Sequence, residues 1–296
     1  MPVNVEKLIE ISLRKPLDPE TFVPWKATLQ EGQYYLPPHL ISLYGTDLFE
    51  KLTAEQRLKL GKSELGQAIF SYSWSEGIMC LFMTRYIMNL APDSLEKRFL
   101  LRELIEECRH QQMFNKSLTQ LNITPVPPAP IHRFLGMITA KYMSPGAMFL
   151  GTLAVEYVTD MYGSAIHRDH NCHLMARKMS QLHNIEEGRH IAFTEDLLER
   201  FTQKATFFTR VVYSILALGN VCFMRSLYVQ KRFFEEVGVD DPGLYYRVAK
   251  RNYRSIFGRY CLKSLVDYME HIRGFNWITR PIWERVLHVK LPRYAR

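Results

Sequence analysis

The phrase "LIEECRHQQMF" (104–114) and its echo "NIEEGRHIAF" (184–193) each set a glutamate three residues before a histidine, Glu107 with His110 and Glu187 with His190. Residues three apart share one face of a helix, so each pair can aim a carboxylate oxygen and an imidazole nitrogen at one point. Imidazole and carboxylate together suit iron or manganese. Each phrase also has a lone acid upstream in an apolar stretch: Glu76 in "SWSEGIMCLFM" and Glu156 in "LAVEYVTDMYG", each 31 residues before its partner glutamate. Acids set among Trp74, Ile78, Met79, Leu153, Val155 and Val158 would be costly to bury without cations to neutralise them.

The elements that must position these residues are readable from periodicity and punctuation. A long helix is expected from about Thr53, its N-cap, to Leu90. "APDS" (91–94) breaks it, and Asp93 or Ser94 can cap the next helix, which runs to about Leu121. "ITPVPPAP" (123–130) reads as an extended crossover. Pro145 opens a helix to about His167, "HRDHN" (167–171) turns, another helix covers about 172–203, and three or four more helices follow. The midpoint between Glu76 and Glu107 falls at Ala91–Pro92, and that between Glu156 and Glu187 at Asn171–Cys172, both at expected turns. Residues equidistant from the turn of an antiparallel helix pair lie at one depth. Two such hairpins form a four-helix bundle whose core gathers four glutamates and two histidines at one level. Glu106 and Glu186, four residues before the histidines, could share that face too; Glu107 and Glu187 are preferred because their three-residue spacing matches the known dimetal motif, leaving Glu106 and Glu186 to pair with Arg102, Arg109 or Arg189.

A glutamate from each of two helices and Glu-x-x-His from each of the other two is the carboxylate-bridged dimetal pattern of ferritin-like proteins. The expected fold class is therefore all-α, a ferritin-like four-helix bundle with additional N- and C-terminal helices, in a single domain over 1–296 with its core at about 53–203. His183 adds a third donor to the stripe of Glu187 and His190. Taken alone it reads as a hydrogen-bond donor to a ligand. The series Glu, Glu-x-x-His, Glu, His-x-x-x-Glu-x-x-His resembles the diiron arylamine N-oxygenases of the p-aminobenzoate N-oxygenase type, over roughly residues 55–235. The resemblance implies seven metal ligands, Glu76, Glu107, His110, Glu156, His183, Glu187 and His190, with His183 on the side of Glu156 and His190. It implies two iron ions, with manganese as a possible substitute. It also implies an O2-dependent monooxygenase that oxidises an amine nitrogen through hydroxylamine towards nitroso or nitro. Its expected partners are O2, a small-molecule amine, and an external electron donor of the ferredoxin- or flavodoxin-type reductase system. A homodimer is expected. Asp160, Glu106 and Arg109 are the expected supports of the ligands, and Met79, Cys80, Met83, Phe149, Thr152 and Leu153 the candidate pocket walls.

The composition, 47% hydrophobic and 23% charged, is that of a globular chain with a core. Five scattered cysteines without a C-x-x-C pair argue against a disulfide framework and fit a cytoplasmic setting. The net charge of +8 is not matched by a nucleic-acid-binding motif. The apolar run "VVYSILALGNVCFM" (211–224) is too short to span a bilayer and reads as a buried core helix, so no membrane partner is expected. His167, His170 and His173 read as a solvated turn. Arg247, Lys250, Arg251 and Arg254 fall on helical spacing, either a solvated face or a docking patch for an acidic electron-transfer protein or carrier domain. Two other function classes remain open: the same core can hydroxylate or desaturate carbon, on a free or carrier-tethered substrate, and a non-enzymatic iron-binding protein can share the fold.

Overall fold

The computed structural model describes residues 3–14, 16–288 and 290–291. Among these, the regular elements are helices. An N-terminal arm carries α1 (Val5–Arg14), α2 (Pro19–Phe22) and α3 (Asp47–Lys51). The bundle is built from α4 (Ala54–Ile87), α5 (Leu95–Leu121), α7 (Pro145–Arg168) and α8 (Leu174–Gln203), with α6 (Pro130–Tyr142) inserted between the hairpins. The C-terminal part adds α9 (Phe207–Tyr228), α10 (Lys231–Val237), α11 (Pro242–Tyr260), α12 (Lys263–His271) and α13 (Thr279–Leu287). The fold is thus all-α, a ferritin-like four-helix bundle with helical additions.

The expected starts of the bundle helices hold for physical reasons. Thr53 caps α4 in a reciprocal box, its hydroxyl accepting from the Gln56 amide while its own amide donates to the Gln56 side chain. Ser94 caps α5 by accepting from the Lys97 amide at 3.2 Å. The hairpins α4–α5 and α7–α8 form the two most extensive helix pairs. They meet across the core through contacts such as the stacked rings of Phe99 and Phe193, 4.3 Å apart. In the second hairpin Gly163 lets the helices approach closely: a Cβ there would lie 2.3 Å from Asn184 Oδ1. The Asn184 amide donates across that gap to the Asp160 carbonyl and the Ser164 hydroxyl.

Four local expectations are corrected. The crossover is extended only as far as Ala129, because Pro130 takes the first position of α6, where its missing N–H costs nothing. Helix α9 is not a fully buried core helix. Ser214, Ala217, Leu218, Val221 and Met224 are buried, whereas Phe208, Val212 and Ile215 are exposed. By length and composition the Phe207–Val237 segment could cross a membrane, yet its buried stripe packs on α4 and α7. Five helices follow the bundle, more than the three or four expected, because α10 and α12 are short. His173 is buried rather than solvated. The arm crosses the α7–α8 turn there: the Tyr34 amide donates to Asn171, the His173 amide donates to Tyr34 at 2.7 Å, and His173 Nε2 lies 3.2 Å from the Ala27 carbonyl.

The arm is also tied to α4 through Glu64, a buried carboxyl that accepts from the Ser42 amide at 2.9 Å and from the Ser42 hydroxyl. Burial outweighs these two hydrogen bonds and raises its pKa to about 8. The unfolded chain releases this proton near the ordinary value of 4.5, whereas the folded chain keeps it until about 8. The folded state therefore binds more protons in that window, and stability falls as pH rises through it. The melting temperature of the wild type is expected to fall more steeply between about pH 5 and 8 than that of Glu64→Gln; parallel pH profiles would contradict this assignment.

Candidate metal centre

The four bundle helices bring the chemistry-bearing residues to one level, deep in the core. Glu76 comes from α4, Glu107 and His110 from α5, Glu156 from α7, and His183, Glu187 and His190 from α8; all are buried. Glu76, His110, His183 and Glu187 offer donor atoms within 4.8 Å of one another. Glu107, Glu187 and His190 form a second such group, and Glu103, Glu156 and His190 a third. Glu187 belongs to the first two groups and His190 to the last two, so the three are one continuous cluster with two ends. At one end His183 Nε2 is 3.2 Å from both Glu76 Oε1 and Glu187 Oε1. His183 thus stands beside Glu76 and His110, not on the Glu156 side where the resemblance puts it. His183 and His190 are seven residues apart on α8, about 10 Å along its axis, so His183 reaches the opposite end of the cluster from His190.

The repeated pair of glutamates has a crosswise explanation. His110 directs Nδ1 inward, 3.4 Å from Glu107 and 3.6 Å from Glu187, and places Nε2 2.9 Å from Glu186 on the other hairpin. His190 mirrors it, with Nδ1 3.0 Å from Glu107 and Nε2 2.9 Å from Glu106. The second glutamate of each phrase faces the centre, and the first orients the histidine of the other phrase. The arginines complete the exchange: Arg189 donates to Glu106 at 2.9 Å and Arg109 to Glu186 at 3.2 Å. Arg102 instead binds Ser12 on α1. Burial pushes Glu106 up, but the hydrogen bonds and charges of His190 and Arg189 outweigh it and bring its pKa down to about 2. A histidine fixed through one nitrogen by a carboxylate presents the other nitrogen to a metal in a set orientation. Asp160 is half-buried one turn beyond Glu156 and lies outside the three donor groups.

The inward atoms lack protein partners. Both oxygens of Glu156, Glu76 Oε2, Glu107 Oε1, Glu187 Oε2 and His190 Nδ1 are buried without a hydrogen bond. His190 Nδ1 and Glu107 Oε1 are close but lack hydrogen-bond geometry, as two donors aimed at a common point would be. Burial, then the charge of Glu107, raises Glu76 to about 7; burial and the charge of Glu187 raise Glu156 well above the usual carboxylate range. Orphaned buried carboxylate and imidazole atoms at this density are what a pair of transition-metal ions would satisfy. The residues present fit such a cofactor. Sequence reasoning passed over one member of the cluster, Glu103, although it lies four residues before Glu107, as His183 lies before Glu187.

A cavity of about 690 Å³ opens onto the cluster between α4, α6, α7 and α9. Glu76, Glu156 and Glu187 reach it, and its walls include Trp74, Val155 and Phe223. Leu135 and Ile215 line it and are also solvent-exposed, which places its mouth between α6 and α9. Of the expected walls, Met79 and Thr152 line it. Met83, Phe149 and Leu153 belong to the core, and Cys80 accepts from Gln111.

The sequence matches the model of the family described as P-aminobenzoate N-oxygenase AurF over residues 3–274. The chain belongs to this family. The match reaches well beyond the 55–235 over which the motifs are legible. Uncharacterized proteins of Mycobacterium tuberculosis (strain CDC 1551 / Oshkosh) and Mycobacterium bovis, MT0908 and Mb0909, are each 24% identical over 244 residues, 78% of this chain and 71% of the relative. Among solved structures, variants of an R2-like ligand-binding oxidase with a reconstituted Mn/Fe cofactor are similar. One has a TM-score of 0.48 and 14% identity, covering 86% of this chain and 93% of its own; another has 0.47 and 13%, covering 86% and 92%. As a member of the N-oxygenase family with a donor cluster that fits two metal ions, the chain is an O2-dependent oxidase that requires a reductant.

Replacing Glu106 or Glu186 by Gln is expected to weaken metal binding by roughly 10–100-fold, measured by competition with a chelator, with helix content unchanged. Unchanged affinity in both variants would show that the crosswise carboxylates do not hold the histidines for the metal.

Proposed function

We propose that the chain oxidises the nitrogen of a small, largely apolar aromatic amine, using O2 at a dimetal centre held by Glu76, Glu107, His110, Glu156, His183, Glu187 and His190. The observation that carries this reading is the apolar cavity that ends on Glu76, Glu156 and Glu187. Glu76, His110 and His183 would bind one ion, Glu156 and His190 the other, and Glu107 and Glu187 would lie between them. Bound iron supplies the two-electron oxidising chemistry with O2. The chain's own part is to orient the donors, exclude water and position the substrate. Trp74, Val155 and Phe223 give a ring apolar walls, and Ser75, Thr152 and Asn220 are the polar groups that could orient its nitrogen. Among the described residues the lining contains no Lys or Arg. A free carboxylate, such as that of p-aminobenzoate, would find no permanently charged partner there, only the imidazole of His132 on the wall, so the substrate is read as an uncharged arylamine.

Electrons would enter through a docked acidic carrier of the ferredoxin or flavodoxin type. Arg247, Lys250, Arg251 and Arg254 are exposed together on α11, consistent with such a patch. Beneath them Tyr253, Tyr228, Tyr72 and His183 form a chain of rings with centroids 6.0, 6.2 and 6.1 Å apart, so this face overlies the centre by a short packed route. A homodimer would cover exposed apolar residues such as Phe134 and Met137 of α6 and Phe208 and Val212 of α9.

One observation favours a second reading, oxidation at carbon: an apolar cavity of this kind also accommodates an alkyl chain. Reduced, iron-loaded protein given O2 and simple anilines is expected to yield arylhydroxylamine, nitroso or nitro products by mass spectrometry. Leu216→Trp, which fills the cavity away from the cluster, is expected to reduce that turnover on the order of 100-fold with iron content unchanged. Turnover confined to C–H bonds, with no amine oxidised, would overturn N-oxidation in favour of the second reading.

A further inference from the structure

Glu103 is the buried acid that the seven-residue set leaves unused. It is 1% exposed, on α5, one turn before Glu107. Both of its oxygens lack a hydrogen-bond partner. One of them lies within 4.8 Å of donor atoms of Glu156 and His190, and among the described residues no lysine or arginine pairs with it as Arg189 and Arg109 pair with Glu106 and Glu186. A structural carboxylate at this depth would be expected to accept hydrogen bonds, since an orphaned one is costly.

Its place in the repeat says what it does instead. The eight-residue stretches "ELIEECRH" (103–110) and "HNIEEGRH" (183–190) align without a gap, and Glu103 falls opposite His183. The two hairpins exchange partners throughout the centre, His110 with Glu186 and His190 with Glu106. His183 obeys the same exchange: it leaves its own hairpin's end and stands against Glu76 and His110. Glu103 does the same in reverse, standing against Glu156 and His190.

We propose that Glu103 is a further metal-binding carboxylate, held by the ion that Glu156 and His190 bind, and the counterpart of His183 at the other ion. The proposal rests on the dimetal reading above. It makes the two positions chemically unequal. One faces two imidazoles, His110 and His183; the other faces one imidazole, His190, and an additional carboxylate. Carboxylate oxygen is the harder donor, so the Glu103 position favours the harder or more highly charged ion of the pair. Four carboxylates offset two divalent ions; two trivalent ions call for more negative charge, and Glu103 is the adjacent anion able to supply it.

The test is metal stoichiometry and affinity, read without turnover. Purified apoprotein is loaded anaerobically with Fe(II), desalted and counted by elemental analysis, with a chelator competition for each ion. Wild type is expected to hold two ions. Glu103→Gln, equal in size and uncharged, is expected to hold one as wild type does and to bind the second at least about 10-fold more weakly. Glu103→His, which installs the donor already present at the counterpart position, is expected to restore the second ion; a packing role would not be rescued by imidazole. Two ions of unchanged affinity in Glu103→Gln would overturn the proposal and leave the dimetal reading standing. Fewer than two ions in the wild type would overturn both. If the variants do not fold, a crystal of metal-loaded wild type decides: a Glu103 oxygen bonded to the ion held by Glu156 and His190 supports the proposal, and an ion there without that bond overturns it.

Discussion

The structure is organised around an electrostatic debt in its core. Carboxylates from four helices are held at one level, out of water and close to one another, with inward oxygens that no group among the described residues satisfies. Mutual repulsion and desolvation oppose this arrangement in the metal-free chain; cations between the acids would replace the repulsion by attraction and offset the desolvation cost. Much else about the fold serves to hold the acids there. The equal hairpins set the depth, the caps at Thr53 and Ser94 fix where the helices begin, and Gly163 brings α7 against α8.

Around that inner set lies a second set of charges paired with one another. Glu106 and Glu186 each receive a histidine and an arginine, and each takes its histidine from the other hairpin. The two halves of the bundle are therefore joined by the groups that orient the inward imidazoles. This explains why the glutamates come in pairs: one member of each pair faces the centre and the other holds the opposite histidine. It also couples the geometry of the centre to the packing of the hairpins, because a shift of α5 against α8 would move both histidines together.

Much of this was legible in the sequence because helical spacing and turn position are strictly local signals. The 31-residue intervals, the capping residues and the two Glu-x-x-His phrases fix the bundle and the level of the cluster. What was not legible depends on which side chains of the other helices each residue meets. His183 is on the same face as His190, but the rise of about 10 Å along α8 between them carries it to the other end of the cluster. Glu103 has the spacing of His183, yet an acid one turn from another acid reads equally well as a surface residue. Helix α6 was hidden by prolines that break helices in their interior but start them at the first turn. Part of the cavity wall falls on α6 and α9, helices whose apolar residues carry no motif.

The central claim is that two metal ions share the carboxylates between His110 and His190 as one coupled centre. The most direct measurement is low-temperature Mössbauer and electron paramagnetic resonance spectroscopy of protein loaded with 57Fe and oxidised by O2. A shared centre predicts that the bulk of the iron is high-spin ferric yet resonance-silent, because ions bridged by the same groups couple antiferromagnetically. Iron that instead shows the signal of isolated ferric ions, in proportion to the amount bound, would contradict the account.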